Sequence, residues 1–156
     1  EPQVAGFGVT DIEFRFNLRD PVDYACRLLR KGVMQGGAQL VVTGSAATLD
    51  AVDAALWQTE PADFIAHCRA DAAPEVLQRS PVVLAAAPDV ALPHRAVLVN
   101  LGGEVPAGFE RFERLIELVA EDDASRGAGR ARWRHYKDRG YGIRHQDAFA
   151  PAGGRG

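Results

Sequence analysis

The chain has 156 residues, 47% of them apolar and 25% charged, with two cysteines and a formal net charge of −3. Such a length supplies one ordinary domain with a core that needs neither disulfides nor metal; no apolar run reaches the ~18 residues of a membrane span, and Cys26 and Cys68, outside any C-x-x-C, read as buried reduced thiols of a cytosolic protein. Charge is unevenly spread: between Arg126 and Arg144 seven bases stand against Asp138 alone, a net +6, so the remainder carries −9, which argues against general nucleic-acid coating and for a localised acidic ligand.

In chain order, Ile12, Phe14, Phe16 and Leu18 alternate with Glu13, Arg15 and Asn17, the period-two pattern of a strand with one buried face. Asp20-Pro21 offers an N-cap followed by proline at the first helical position, and predicts a helix to about Met34 that Gly36-Gly37 ends. Leu40-Val41-Val42, closed by Thr43-Gly44, suits a central parallel strand covered on both faces. A second helix is expected from about Thr48 to Trp57. Beyond Pro61, the segment from Phe64 to Cys68 reads as a further strand, 71–80 as surface loop with at most a turn of helix, and Val82 to Ala85 and Ala96 to Asn100 as clearer strands. Phe109, Phe112, Leu115, Ile116 and Val119 recur at three- and four-residue spacing, which predicts an amphipathic helix over 106–120. The basic helix follows Asp122-Asp123, a charge pair suited to a helix N-terminus. Alternating strands and helices imply an α/β domain, a three-layer Rossmann-like fold with a mostly parallel sheet and helices on both faces. That single domain is expected over 1–145, with 146–156, rich in Gly and Ala, as a frayed tail.

The glycine loops fit no nucleotide. Gly6-Phe7-Gly8 precedes a strand rather than following one, Thr43-Gly44-Ser45 lacks the G-x-G-x-x-G that lets backbone approach a pyrophosphate, and Glu104 beside Gly102-Gly103 would repel phosphate. No cofactor is expected. Nor is a catalytic set visible: Ser45 lacks the second glycine of a nucleophile elbow, and His67, His94, His135 and His145 show no zinc-site spacing, so no enzymatic activity or metal is expected. His67 reads as a hydrogen-bonded, partly buried imidazole.

Two features remain. Arg132-Trp133-Arg134-His135-Tyr136-Lys137-Asp138-Arg139-Gly140-Tyr141 interleaves guanidinium groups with large aromatics on one helix, and its readings are an anion-binding face or a solvated basic face with Trp133 buried. On a helix Arg132, Tyr136 and Arg139 share one stripe, and Arg130, Arg134 and Lys137 the next. Trp57 and Phe64, flanking Pro61, either present two aromatics as an interaction surface or fill the core.

Leu56-Trp57 with Phe64 and His67, together with Arg132-Trp133-x-x-Tyr136-Lys137-x-x-Gly140-Tyr141, resembles the chi subunits of bacterial DNA polymerase III over 12–143. The resemblance implies a non-enzymatic clamp-loader adaptor with a Rossmann-like shape that binds no nucleotide, located in the bacterial cytoplasm. Its implied partners are the psi subunit, through which it joins the clamp loader, and the acidic C-terminal tail of single-stranded DNA-binding protein, which ends in phenylalanine. Residue by residue, it implies a psi-facing surface at Trp57 and Phe64, near Pro61, which sits one residue later than in the family pattern. It also implies a tail site at Arg132, Tyr136 and Lys137, to which the helix adds Trp133, Arg134 and Arg139. In that site Trp133, Tyr136 or Val119 would wall a slot for the phenylalanine, and Arg132→Ala is expected to weaken binding without harming the fold. The competing reading is a direct single-strand binder in which Trp133 and Tyr136 stack on bases. A monomer is expected in isolation.

Overall fold

The computed structural model describes residues 9–58 and 64–148. Its elements in chain order are β1 (Asp11–Leu18), α1 (Pro21–Gly36), β2 (Leu40–Thr43), α2 (Ala46–Trp57), β3 (His67–Arg69), α3 (Pro74–Arg79), β4 (Val82–Leu84), β5 (Val97–Asn100), a 3-10 turn (Phe109–Arg111), β6 (Arg114–Ala120), α4 (Asp123–Asp138) and β7 (Ile143–Asp147). The strands form one sheet in the order β3-β4-β2-β5-β6-β1-β7, with every neighbouring pair parallel. The expected three-layer Rossmann-like architecture is present, and the sheet is parallel throughout.

Local chemistry accounts for the early elements. Asp20 caps α1 by accepting from the Asp23 N–H at 3.1 Å, Pro21 opens the helix, and Gly37 closes it at φ 61, a left-handed geometry that glycine adopts without steric cost. Ser45 caps α2 through the Thr48 N–H. Two core layers flank the sheet. On one face α1 and α2 place Ala25, Leu29, Leu49, Val52 and Leu56 against Leu40, Val42, Leu84 and Val99. On the other, Phe109, Phe112 and Tyr136 of α4 pack on Phe14, Val41, Leu98 and Leu115. Successive strand residues thus serve opposite layers, which is why the central strands read as unbroken apolar runs.

Four expectations change. Residues 106–120 do not form a helix: Gly108 takes φ 80, where an added Cβ would come within 2.9 Å of Asp89 Cβ, and after the 3-10 turn the chain becomes β6. The spacing of Leu115, Ile116 and Val119 fits a helix, but Leu115 to Val119, apolar save for Glu117, also suits a central strand, and a strand between two others buries every side chain of it. Leu18 leaves the layer of Ile12 and Phe14 for the α1 side, because the β1–β6 register shifts between Arg15 and Leu18 and Asn17 sits at φ 63. The strand expected from Phe64 is confined to His67–Arg69. Finally, β7 carries the chain two residues into the segment expected to fray: the Asn17 side-chain amide donates to Asp147 at 2.8 Å and the Ala148 N–H to the Phe16 carbonyl at 2.9 Å. The rest of that segment, from 149, lies outside the described residues. No helix among the described residues is long and apolar enough to cross a membrane.

Candidate functional site

Helix α4 is capped by Asp122, whose carboxylate accepts from the Ser125 N–H at 2.9 Å. Its buried stripe is Gly129, Arg132 and Tyr136. Gly129 is the close approach: a Cβ there would sit 3.1 Å from both methyls of Val119, so glycine lets α4 lie against β6. The next two residues of the stripe converge on Glu117 in the middle of β6, fully buried. Arg132 Nε donates to Glu117 Oε1 at 2.9 Å, Tyr136 Oη to Oε2 at 2.5 Å, and Asn100 Nδ2 to Oε1 at 2.9 Å, while Arg132 Nη1 also reaches the Gly103 carbonyl at 2.9 Å. Burial pushes the Glu117 carboxyl upward, against the Arg132 charge and the donated hydrogen bonds. Burial and the adjacent carboxylate push the Tyr136 hydroxyl far up, so it stays a donor.

The sequence leaves open which stripe of α4 faces outward, and the geometry turns that of Arg132 and Tyr136 toward the sheet. Arg132 is 4% exposed and Tyr136 fully buried, and their hydrogen bonds go to Glu117 and the Gly103 carbonyl. Their spacing puts them on the face that turns toward the sheet, where Glu117 receives them. Arg139 is exposed but stands at the C-cap, donating to the His135 carbonyl. Trp133, Arg134 and Lys137 do reach the surface, with Trp133 half-buried.

Beside Trp133 lies an apolar recess of about 300 Å³, floored by Phe14, Phe16 and Val119 and rimmed by Arg126, Arg130 and His145. The Trp133 ring packs on Phe14 at 5.1 Å and on His145 at 5.7 Å between centroids. On its other side, Trp133 borders a shallower depression with Arg130, Arg134, Lys137 and Asp138. Among the described residues, none pairs with the side chains of Arg130, Arg134 or Lys137. Arg130 belongs to the stripe with Arg134 and Lys137 that the sequence displays, whereas Arg126, Phe14, Phe16 and His145 are not evident from it as site residues. The i, i+4 spacing to Arg130 and Arg134 is the signal for Arg126, and Phe14 and Phe16 read simply as core.

At the other edge of the sheet, Trp57 ends α2 with 65% of its surface exposed and Phe64 is 37% exposed, their centroids 5.1 Å apart. The surface alternative therefore describes both rings, with buried Leu56 taking the core position. Pro61 lies outside the described residues.

Residues 9–144 match the DNA polymerase III chi subunit family, HolC. The chain belongs to the chi family. It is 34% identical over 119 residues to DNA polymerase III subunit chi of Pseudomonas aeruginosa, covering 76% of this chain and 80% of that one. To the chi subunit of Haemophilus influenzae it is 26% identical over 121 residues, covering 78% and 83%. Among solved structures, the C-terminal domain of S. cerevisiae Dbp5 superposes with a TM-score of 0.58 at 14% identity over 92% of each chain. Another structure of the C-terminal domain of the DEAD-box protein Dbp5 gives 0.57 at 13%, over 92% of this chain and 93% of that one. At such identities the likeness concerns the fold alone.

Proposed function

We propose that this chi-family chain is a non-catalytic adaptor that binds the acidic C-terminal tail of single-stranded DNA-binding protein in the recess beside α4 and the psi subunit at the Trp57–Phe64 face. Through psi it would join the clamp loader of a cytoplasmic bacterial replisome. The observation that carries this reading is an apolar recess sized for one aromatic side chain, with Arg130, unpaired among the described residues, and Arg126, 3.9 Å from Asp123, on its rim. A peptide ending in phenylalanine presents those two groups, a ring and a free carboxylate. The ring fills the space between Trp133, Phe14 and Phe16, and the carboxylate meets Arg130 or Arg126, ideally as a bidentate pair. Acidic residues upstream run past Arg134 and Lys137, which steer the approach and lose reach as salt screens them.

Support for bridging comes from placement. The two surfaces stand at opposite edges of a seven-stranded sheet, which at ~4.8 Å per strand spacing separates them by roughly 30 Å. One also lies on the α2 side and the other on the α4 side. Both partners can therefore bind at once. Saturating the chain with psi should leave the affinity for a labelled tail peptide unchanged, measured by fluorescence anisotropy; displacement of the peptide by psi would defeat the bridging role.

A further inference from the structure

Beneath the Trp57–Phe64 pair, the imidazole of His67 is held from both sides. Its Nε2 lies 2.8 Å from Oδ1 of Asp53 and its Nδ1 lies 3.0 Å from the Ile65 carbonyl oxygen. A carbonyl and a carboxylate only accept, so a neutral ring with its single N–H satisfies one of these contacts, and the imidazolium, with two N–H groups, satisfies both. The His67 side chain is 2% exposed, so a charge on the ring requires compensation nearby. Asp53 on α2 also accepts from Arg69 of β3 at 3.2 Å, and the same guanidinium nitrogen reaches Asp50 at 2.8 Å. Two carboxylates thus face one guanidinium and one ring, and the group is neutral only when His67 is protonated. Burial alone would raise the Asp53 carboxyl, but hydrogen bonds from His67 and Arg69 hold it below the ordinary range. Val82, the partner of His67 on β4, brings no charge; Glu60 and Asp63, the acidic residues of the adjoining segment, lie outside the described residues.

The same ring supports the exposed aromatics. Its centroid is 5.3 Å from Trp57 and 5.7 Å from Phe64, an arrangement in which a cation gains from the ring quadrupoles. Asp53 lies one helical turn before Trp57, so the His67–Asp53 bond ties the end of α2 to the edge strand beside Phe64. We propose that His67 is a positioning residue for this docking face: as an imidazolium it locks Trp57 against Phe64, and the partner binds more tightly when the proton is present. The identity of that partner as psi rests on the adaptor reading above; the clamp itself does not. When the proton leaves, one of the two contacts sets lone pair against lone pair and the group becomes net negative, so the ring must withdraw from Asp53 or from Ile65.

The test follows the imidazole nitrogens and the Trp57 indole N–H by nitrogen-15 NMR across a pH series of the free chain, alongside psi affinity over the same range. Two protonated nitrogens on His67 at neutral pH are expected, with the Trp57 signal moving as the second proton is lost. Psi affinity should then fall by up to about tenfold per pH unit above that titration, the limit when only the protonated form is competent. His67→Gln should flatten the affinity profile. Should that variant not fold, Asp53→Asn, which removes the anion that favours the proton, should move the titration to lower pH. A neutral His67 ring at neutral pH, a Trp57 signal indifferent to the titration, or psi affinity that ignores it would overturn the proposal. A chain that binds psi at no pH would instead sink the partner assignment, and the imidazole and indole signals would still decide the clamp.

Discussion

Glu117 decides which side of α4 faces outward. A carboxylate in the middle of a covered strand, it draws Arg132 and Tyr136 inward, and so leaves Arg126, Arg130, Trp133 and Arg134 toward solvent. Removing one partner from a buried ion pair typically costs ~3–5 kcal/mol, because the other charge remains unpaired. Arg132→Ala should therefore unfold at much lower denaturant, a loss of about that size in chemical denaturation, whereas Arg130→Ala should unfold like the parent. Equal stability of the two variants would contradict the internal role of Arg132. Burial likewise pushes the Cys26 thiol up to about 11, and a raised value keeps the reactive thiolate scarce at neutral pH. Of the two cysteines, half-buried Cys68 should react first with a thiol reagent in the native state, and Cys26 only on unfolding; mass mapping of a timed alkylation checks the order.

The elements differ in how openly the sequence declares them. Helix α1 is legible because its ends are written locally, in Asp20-Pro21 and Gly37. β2 and β5 are legible as short apolar runs. β6 is not, since its apolar residues, set closely around Glu117, satisfy both the helical and the strand period, and only the tertiary choice of Leu98 and Ile12 as neighbours of Leu115 resolves it. Without β6, the sequence does not show Glu117 as the partner of Arg132, so it leaves open which stripe of α4 turns outward. β7 escapes notice for another reason: four of its five residues are polar, as befits an edge strand. The α4–β6 contact yields a prediction of its own. Gly129→Ala gains ~1 kcal/mol of helix propensity, but its methyl meets Val119 at 3.1 Å, and overpacking costs ~1–3 kcal/mol. The two nearly offset, so stability should drop by no more than about 2 kcal/mol. The recess that Gly129 lines should narrow, and peptide affinity should fall more than stability does. A melt paired with a peptide titration separates these effects, and undiminished affinity would mean that the ligand does not enter beside Gly129.

At the scale of the molecule, the α/β fold brings two unlike surfaces to opposite edges of one sheet, an aromatic pair braced by His67 and an apolar recess rimmed by arginine. The superposition on Dbp5 domains shows that this architecture by itself does not define a function; the chemistry of the two surfaces does. The adaptor account depends most on the recess beside α4. It is tested most directly by titrating a labelled acidic peptide ending in phenylalanine against the parent chain, Arg130→Ala and Trp133→Ala, with a peptide lacking the terminal phenylalanine and a single-stranded oligonucleotide as controls. The account predicts binding that is lost with the terminal phenylalanine, and that Arg130→Ala weakens by ~1.5–3 kcal/mol, the size of a charge-assisted hydrogen bond. Binding that survives loss of the phenylalanine, or that goes to the oligonucleotide alone, would contradict it.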